Sequence, residues 1–292
     1  MSHVPVLVKE VIEYLKIKPN SKIIDATLDG GGHTRAMLER FPDIKILGIE
    51  FDPVLFENYK LKIKNLSQNL ILTNDSYVNL KKIVKEHKFE PDGILFDLGL
   101  SSWHYEESGR GFSFKRDEIL DMRFNPEVGE NAADIVNKYP EEDLRGIISS
   151  LGEEQFAGNI AKNIVRARRE KPIVTTGELA DIISRSVPEW YKHRKIHFAT
   201  KTFQALRVKV NDELGNIRKG VQAAIDILKP GGRLVVISFQ GMEDKIVKEI
   251  FRDNVKAGVV ELAVRGTIRP TWEEQKANPR SRSAKMKVIQ KI

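Results

Sequence analysis

Apolar residues in the first hundred positions form short, nearly continuous runs that alternate with helical patterns. The predicted strands are residues 22–28, 45–51, 70–73 and 93–98, and the predicted helices between them are residues 33–40, 53–64 and 77–87. Strands that are apolar throughout are typical of parallel strands buried on both faces. Their regular alternation with helices favours right-handed β-α-β crossovers and therefore a doubly wound α/β sheet.

The alternation stops after Leu100 and returns only near residue 211. Within this interval helices are predicted at residues 141–151, 153–169 and 176–187 and from Thr200 onward. The α/β pattern then returns with a turn at 229–232, a strand at 233–239 and a helix at 243–252. Two further strand candidates, at 259–264 and 284–290, could form a hairpin at the sheet edge. The simplest arrangement is a sheet domain built from residues 1–108 and 211–292, interrupted by an all-helical domain of residues 109–210.

Cysteine is absent from the 292 residues, and this excludes several kinds of chemistry. Disulfides, thiolate zinc sites and cysteine nucleophiles are ruled out. Pyrimidine chemistry that attacks the ring carbon through a thiol adduct is ruled out as well. No apolar run approaches the roughly 18 residues of a membrane span. The first residues do not form a signal peptide, because the charged residues Lys9, Glu10 and Glu13 follow closely. The sequence therefore predicts a cytoplasmic location and no membrane partner.

Positive charge is concentrated in two tracts rather than spread over the chain, whose formal net charge is +7. Residues 160–210 hold 12 Lys and Arg against 4 Asp and Glu, and residues 265–292 hold 8 against 2. Tracts of this kind indicate a phosphate-rich partner. The alternative is that both are solvated helix faces.

A glycine-rich turn, Asp29-Gly30-Gly31-Gly32-His33, follows the first predicted strand and leads into a helix. Glycines let the backbone approach a ligand closely, and the helix N-terminus offers free amide groups. Glu50, at the end of the second strand, can accept hydrogen bonds from a ribose diol. Nicotinamide enzymes share such a carboxylate, but their spaced Gly-x-Gly-x-x-Gly turn is missing. Three adjacent glycines instead suit a nucleoside that carries an amino-acid tail; an ordinary strand-to-helix turn is the alternative.

Further polar residues follow the third and fourth strands. Residues 74–77 offer polar atoms and the ring of Tyr77 for an adenine, unless Tyr77 is simply a solvent-exposed helix residue. Asp97 ends the fourth strand, where its carboxylate could accept a hydrogen from an amine. The loop of residues 108–114 combines Arg110 with glycines and aromatic residues; it suits base stacking and phosphate contact, or else it pins the insert to the sheet. Candidate RNA contacts in the first basic tract are Arg168, Arg169, Lys201 and Arg207.

The order and spacing of several motifs resemble the RsmH/MraW family, the small-subunit rRNA cytosine-N4 methyltransferases. The matching blocks are residues 3–7, 30–34, 96–102, 110–114, 120–123, 152–154, 197–206, 230–239 and 278–283. The resemblance covers nearly the whole chain. It implies a class I (Rossmann-like) methyltransferase sheet domain with a helical insert, S-adenosyl-L-methionine as the cofactor, and 16S rRNA of the small ribosomal subunit as the partner.

The resemblance also implies roles for individual residues. Gly31, Gly32 and His33 would surround the methionine tail of the cofactor, and Glu50 would bind the ribose. Tyr77 would lie beside the adenine, Asp97 would lie near the reacting end, and His104 would be a further cofactor contact. Two positions depart from the family pattern: His104 stands where a glutamine is usual, and Gln240 stands where a histidine is usual.

Three other functions remain open at this point. A small-molecule methyltransferase fits the glycine turn and leaves the basic tracts unexplained. A methyltransferase-fold RNA-binding or ribosome assembly factor without the activity explains the tracts and leaves the turn without a use. A nicotinamide dehydrogenase fits the sheet and Glu50 alone. The sequence predicts no metal site and does not determine the oligomeric state.

Overall fold

The computed structural model describes residues 5–62 and 68–292. The first two residues of the block 3–7 and the end of the helix predicted at 53–64 lie outside these ranges. Within them the strands are β1 (Lys22–Asp25), β2 (Lys45–Glu50), β3 (Leu70–Asn74), β4 (Gly93–Asp97), β5 (Arg233–Ser238), β6 (Val260–Leu262) and β7 (Lys285–Lys291). The α-helices are α1 (Val8–Leu15), α2 (Gly32–Arg40), α3 (Pro53–Lys62), α4 (Leu80–Glu86), α5 (Ser102–Glu106), α6 (Ala132–Lys138), α7 (Glu141–Gly152), α8 (Ala157–Ala167), α9 (Thr176–Ser186), α10 (Glu189–Lys192), α11 (Thr200–Val210), α12 (Glu213–Ile227), α13 (Gly241–Lys256) and α14 (Trp272–Ala277).

The chain divides into two compact units. Unit 1 contains the residues up to Ser101 together with Leu214–Ile292, and unit 2 is Ser102–Glu213. The boundaries predicted from sequence were residues 108/109 and 210/211. None of the helices in the described part of the chain is both long and apolar enough to cross a membrane.

The described part of unit 1 contains a seven-stranded sheet with the strand order β3-β2-β1-β4-β5-β7-β6. Strands β1 to β5 are parallel, whereas β7 is antiparallel to both β5 and β6. The late strand pair predicted from sequence therefore exists at the sheet edge, although α14 interrupts its connection. The winding reverses between β1 and β4. Ligands of open α/β sheets bind at the carboxyl ends of strands next to such a reversal.

Alternate residues of the central strands point into two apolar layers, one on each face of the sheet. In β4, Ile94 and Phe96 pack with α12 and α13, whereas Leu95 packs with α1 and α2. Strand β5 repeats the pattern, with Leu234 on one face and Val235 on the other. This burial on both sides explains why the strands are apolar throughout and why they are recognisable in the sequence.

Unit 2 is helical, with α7 packed between α8 and α11. Gly152 ends α7 where a Cβ atom would lie 2.5 Å from the carbonyl oxygen of Lys201, so that only glycine permits this approach. Glu153 follows in a left-handed conformation with φ 49°, which stops the helix. Glu154 is buried and accepts hydrogen bonds from the Phe156 amide and the Tyr191 hydroxyl. The helix predicted at 153–169 accordingly begins only at Ala157.

Candidate functional site

The glycine turn joins the end of β1 to the start of α2. Gly31 precedes the helix with φ +70°, a conformation that side chains rarely adopt. A Cβ atom there would lie 1.9 Å from the ring of Tyr59, and one on Gly32 would lie 2.9 Å from the ring of Pro5. Both positions therefore require glycine. The turn also leaves the first amides of α2 without helical partners, as an anionic ligand requires.

Carboxyl groups gather at the ends of β1, β2 and β4, around this turn. They belong to Asp25, Asp29, Glu50, Asp52 and Asp97; Asp29 is partly buried, and the other four are buried. Burial raises the pKa of Glu50 to about 8 and that of Asp25 to about 6, the latter against a lowering by His33. Burial, reinforced by Glu50, also raises the pKa of Asp29. Such a cluster fits a ligand that brings hydroxyl donors and positive charge.

Glu50 is oriented by the backbone at the end of β2. Its Oε1 accepts a hydrogen bond from the Asp52 amide at 2.8 Å. Asp52 in turn accepts from the Val54 amide at 2.9 Å and caps α3, whose first residue is Pro53. An Asp-Pro pair is a recognisable helix start, so the sequence does contain a signal that points to Asp52.

The end of β3 lies beside β2, since Glu50 pairs with Asn74. Asp75 accepts hydrogen bonds from the Ser76 amide and from Asn79 Nδ2, both at 2.7 Å. Tyr77 is half-buried, and its ring meets that of Phe96 edge-on at a centroid distance of 5.3 Å. Tyr77 is thus anchored in the core and is not a freely exposed helix residue.

Asp97 lies at the end of β4, next to His33. The Asp97 amide donates a hydrogen bond to Thr27 Oγ1 at 2.6 Å, and Asp97 Oδ1 accepts one from the Gly99 amide at 3.2 Å. Asp97 Oδ2 lies 3.5 Å from His33 Nδ1. On the other side of the ring, His33 Nε2 lies 2.9 Å from the carbonyl oxygen of Val6. Because a carbonyl oxygen only accepts, Nε2 carries a proton and Nδ1 is the nitrogen that faces Asp97.

The structure brings Gly31, Gly32, His33, Glu50 and Asp97 together at the carboxyl ends of β1, β2 and β4, and Tyr77 follows β3. His104, in contrast, belongs to unit 2. It is 3% exposed and lies edge-on to Phe112 and Phe124, with ring centroids at 5.0 and 5.3 Å. Its contact with the cofactor stays a prediction.

Most of the candidate RNA-binding side chains have partners within unit 2. Arg110 donates to the carbonyl oxygen of Phe124 at 2.8 Å, and Arg168 to that of Val136 at 2.7 Å. Lys201 donates to the carbonyl oxygen of Glu153 at 2.6 Å. Arg207 forms a two-pronged ion pair with Glu213, at 2.7 and 3.0 Å, with both side chains nearly buried. These contacts are enough to explain the four residues structurally, whereas Arg169 is exposed.

The aromatic residues near Arg110 also contact other side chains of unit 2. Phe112 stacks on Phe124, and Phe114 stacks on His197 with centroids 4.4 Å apart. The loop of residues 108–114 therefore has its aromatic rings in internal contacts, which favours the structural alternative for them.

Gln240, at the second departure from the family pattern, precedes α13. The Phe239 and Gln240 amides both donate to Glu243 Oε2, at 2.8 and 3.0 Å. Glu243 is 1% exposed and therefore fixes the entry into this helix. Within the structure the segment has a clear capping role.

A parallel sheet with an antiparallel seventh strand, a glycine turn after β1 and buried carboxylates after β2 and β4 together define a class I methyltransferase that uses S-adenosylmethionine. The residues fit the cofactor: the first amides of α2 suit the carboxylate of its amino-acid tail, and the carboxyl cluster suits its hydroxyl and ammonium groups. The family model described as the MraW methylase family matches residues 1–292. The chain belongs to this family.

Curated relatives match over their full length. The chain is 42% identical over 293 residues to the ribosomal RNA small subunit methyltransferase H of Sulfurihydrogenibium sp. (strain YO3AOP1), covering 100% of both chains. It is 44% identical over 294 residues to the protein of that name from Thermosipho melanesiensis, covering 99% of this chain and 98% of the relative. For Elusimicrobium minutum the identity is 43% over 295 residues, covering 100% and 99%. The sequence-based predictions of the family, the fold class, the methyltransferase activity and the cofactor are confirmed.

Proposed function

We propose that this enzyme methylates the exocyclic N4 atom of a cytidine in the decoding region of 16S rRNA. The observation that carries the proposal is the full-length match, above 40% identity, to relatives named as ribosomal RNA small subunit methyltransferase H. An rRNA substrate also gives a use to the basic tracts at residues 160–210 and 265–292. The proposed site of action is the small ribosomal subunit in the cytoplasm.

The residues proposed to hold the cofactor line the carboxyl ends of the strands. Gly31, Gly32 and His33 would bind its amino-acid tail, and Glu50 would accept hydrogen bonds from the ribose diol. Tyr77 would flank the adenine, and His104 is kept as a proposed further cofactor contact. When bound, the cofactor supplies an electrophilic methyl group on a positively charged sulfur.

Asp97 is proposed to receive the substrate amine. The lone pair of a cytidine N4 atom is delocalised into the ring, which makes this nitrogen a poor nucleophile. A carboxylate oxygen that accepts one N4 hydrogen localises the lone pair and fixes its direction. The Gly99 amide holds the Asp97 carboxylate through Oδ1, and Thr27 Oγ1 fixes the Asp97 backbone by accepting from its amide. Positioning of this kind supplies up to roughly 7–11 kcal/mol of barrier reduction.

Unit 2 is proposed to bind the RNA, with Arg169 as the most accessible of the candidate cations. The target base must leave its stack to reach an enclosed site. The internal contacts of four other candidates are proposed to shape this surface: Arg110, Arg168, Lys201 and Arg207. Direct contacts from these four side chains to phosphates would add to that role.

Methyl transfer from labelled cofactor into small ribosomal subunits that lack the modification, followed by nucleoside analysis, tests the proposal. The expected product is N4-methylated cytidine, and Asp97→Asn should abolish its formation while RNA binding persists. Label in C5-methylcytidine would contradict the proposal, because the chain has no cysteine to form the ring-carbon adduct. Binding of cofactor and subunit without transfer would also contradict the proposal.

A further inference from the structure

The segment Pro5, Val6 and Leu7, named here the N-terminal strap, lies directly against the glycine turn. The ring of Pro5 packs on Gly32, where it leaves no space for a Cβ atom. The Val6 carbonyl oxygen accepts the hydrogen bond from His33 Nε2 at 2.9 Å. The strap thus touches two residues of the proposed cofactor site, and it sets which nitrogen of His33 faces Asp97.

Leu7 holds the strap in a conformation that needs external support. Its φ of 58° and ψ of 33° are left-handed, a conformation that is strained for a residue with a side chain. Its side chain is fully buried, in the apolar layer formed with α1 and α2. A strained residue of this kind persists only where its surroundings over-determine it.

Part of that support comes from the far end of the sequence. The Leu7 amide donates a hydrogen bond to Glu274 Oε1 at 2.8 Å, across a separation of 267 residues. Glu274 lies in the first turn of α14, where its own amide is bound by Thr271 Oγ1 at 3.3 Å. A bond from an amide to an ionised carboxylate is about twice as strong as a neutral one. Glu274 therefore fixes the strap at its strained residue.

We propose that Glu274 is a positioning residue for the amino-acid end of the cofactor. It acts through a continuous series of contacts: Glu274 binds the Leu7 amide, the adjoining Val6 carbonyl binds His33, and His33 faces Asp97 at 3.5 Å. Without the carboxylate, Leu7 relaxes toward an ordinary conformation and the Val6 carbonyl shifts. His33 then loses the partner that fixes its ring. The inference rests on the proposed placement of the cofactor tail at His33 and Asp97.

The test compares two ligands that differ only at this end. S-adenosylhomocysteine carries the amino-acid tail, whereas 5′-methylthioadenosine has the same nucleoside and no tail. By calorimetry, Glu274→Ala should weaken S-adenosylhomocysteine binding by roughly 5- to 20-fold, as expected for partial loss of one charge-assisted hydrogen bond. Binding of 5′-methylthioadenosine should stay within about 2-fold of wild type, because its contacts lie elsewhere.

Two variants separate positioning from general damage. Glu274→Gln keeps an oxygen acceptor at the same reach and should restore most of the affinity. Lys276→Ala changes an exposed side chain on the same helix and should alter neither ligand's affinity. Hydrogen exchange should also accelerate in the peptide that contains Leu7 in the alanine variant. If Glu274→Ala is unfolded, Glu274→Asp, which shortens the reach by one methylene, should show the same selective loss.

The outcomes are distinguishable from failure of the proposed cofactor site. His33→Ala serves as the reference, since it removes the imidazole itself. If His33→Ala lowers the preference for the tailed ligand and Glu274→Ala does not, the positioning role is wrong. Equal weakening of both ligands by Glu274→Ala would also overturn it. If His33→Ala leaves the preference unchanged, the proposed placement of the tail is wrong, and the inference about Glu274 fails with it.

Discussion

Cofactor binding by this enzyme should release a proton, because Glu50 must ionise to accept the ribose hydroxyls. Burial raises the pKa of Glu50 to about 8 in the free protein. Two ribose hydroxyls are hydrogen-bond donors, and donors favour the ionised carboxylate. The bound state should therefore have a lower pKa at Glu50. The perturbation that isolates this effect is Glu50→Gln, which keeps the size of the side chain and cannot titrate.

The magnitude follows from the ionised fraction of Glu50. With a pKa of about 8, the carboxyl is about 1% ionised at pH 6 and about 50% ionised at pH 8. Affinity for S-adenosylmethionine should accordingly rise by roughly 50-fold over this interval. In Glu50→Gln the rise should shrink to what other groups contribute, such as Asp25, whose pKa is about 6.

The stability of the free enzyme should fall as the pH rises, whereas its affinity for the cofactor rises. The folded pKa of Glu50 lies above its ordinary value of 4.5, so the folded state binds the proton more tightly than the unfolded state does. This stabilisation is fully present below about pH 4.5 and is lost as the pH rises through about 8. At pH 8 and above, Glu50→Gln should therefore raise the free energy of unfolding of the free protein, by about 4–5 kcal/mol at the upper limit.

Calorimetric titration at pH 6, 7 and 8, in two buffers of different ionisation enthalpy, measures both the affinity and the protons released. Wild type should release close to one proton per cofactor at pH 6 to 7 and about half a proton at pH 8. Equal pH dependence in wild type and Glu50→Gln would refute the reasoning. So would an absence of buffer-dependent enthalpy, since the carboxylate would then be ionised before the ligand arrives.

Three further predictions concern individual side chains. Gly31→Ala should lower the free energy of unfolding by about 2–4 kcal/mol in denaturant titrations, because φ is +70° and the ring of Tyr59 fills the space; a loss below about 0.5 kcal/mol would contradict the close packing. Tyr59→Phe should leave the free energy of unfolding unchanged or raise it, by up to about 1–3 kcal/mol, because the buried hydroxyl has no hydrogen-bond partner among residues 5–62 and 68–292; a clear loss would contradict this. Arg207→Ala should lower the free energy of unfolding by roughly 1–3 kcal/mol through loss of the Glu213 pair, whereas Arg169→Ala should leave stability unchanged and weaken RNA binding in filter assays; the reverse pattern would assign the RNA contact to Arg207.

The strands of unit 1 were predictable from sequence because both faces of the sheet are covered. Strands β2 and β4 each end one residue before the predicted limit, at Glu50 and Asp97. These are also the carboxylates of the site, because a polar side chain at the end of a buried strand is conspicuous in the sequence. Helix α1 was not predicted, since its eight residues carry no cap that the sequence identifies and its entry depends on the strained Leu7.

Other features could not be predicted because they depend on distant partners. The Leu7–Glu274 contact joins residues 267 positions apart, and no local pattern encodes it. The surroundings of the basic residues could not be predicted for a related reason. An exposed cation in an RNA-binding protein has the same sequence signature as Arg168, which binds the carbonyl oxygen of Val136, or Arg207, which pairs with the nearly buried Glu213. Charge counts do not distinguish these environments.

The division of the sheet between two segments has a consequence for how the chain folds. Strand β4 needs β5 as its neighbour, and the paired residues Gly93 and Arg233 are separated by the whole of unit 2. During synthesis β4 therefore emerges with one edge open, while the contiguous unit 2 can complete its own local contacts. Non-local strand pairing is slow, and an unpaired apolar edge attracts other chains. We expect nascent unit 1 to be the aggregation-sensitive part of the protein and unit 2 to reach its native state first.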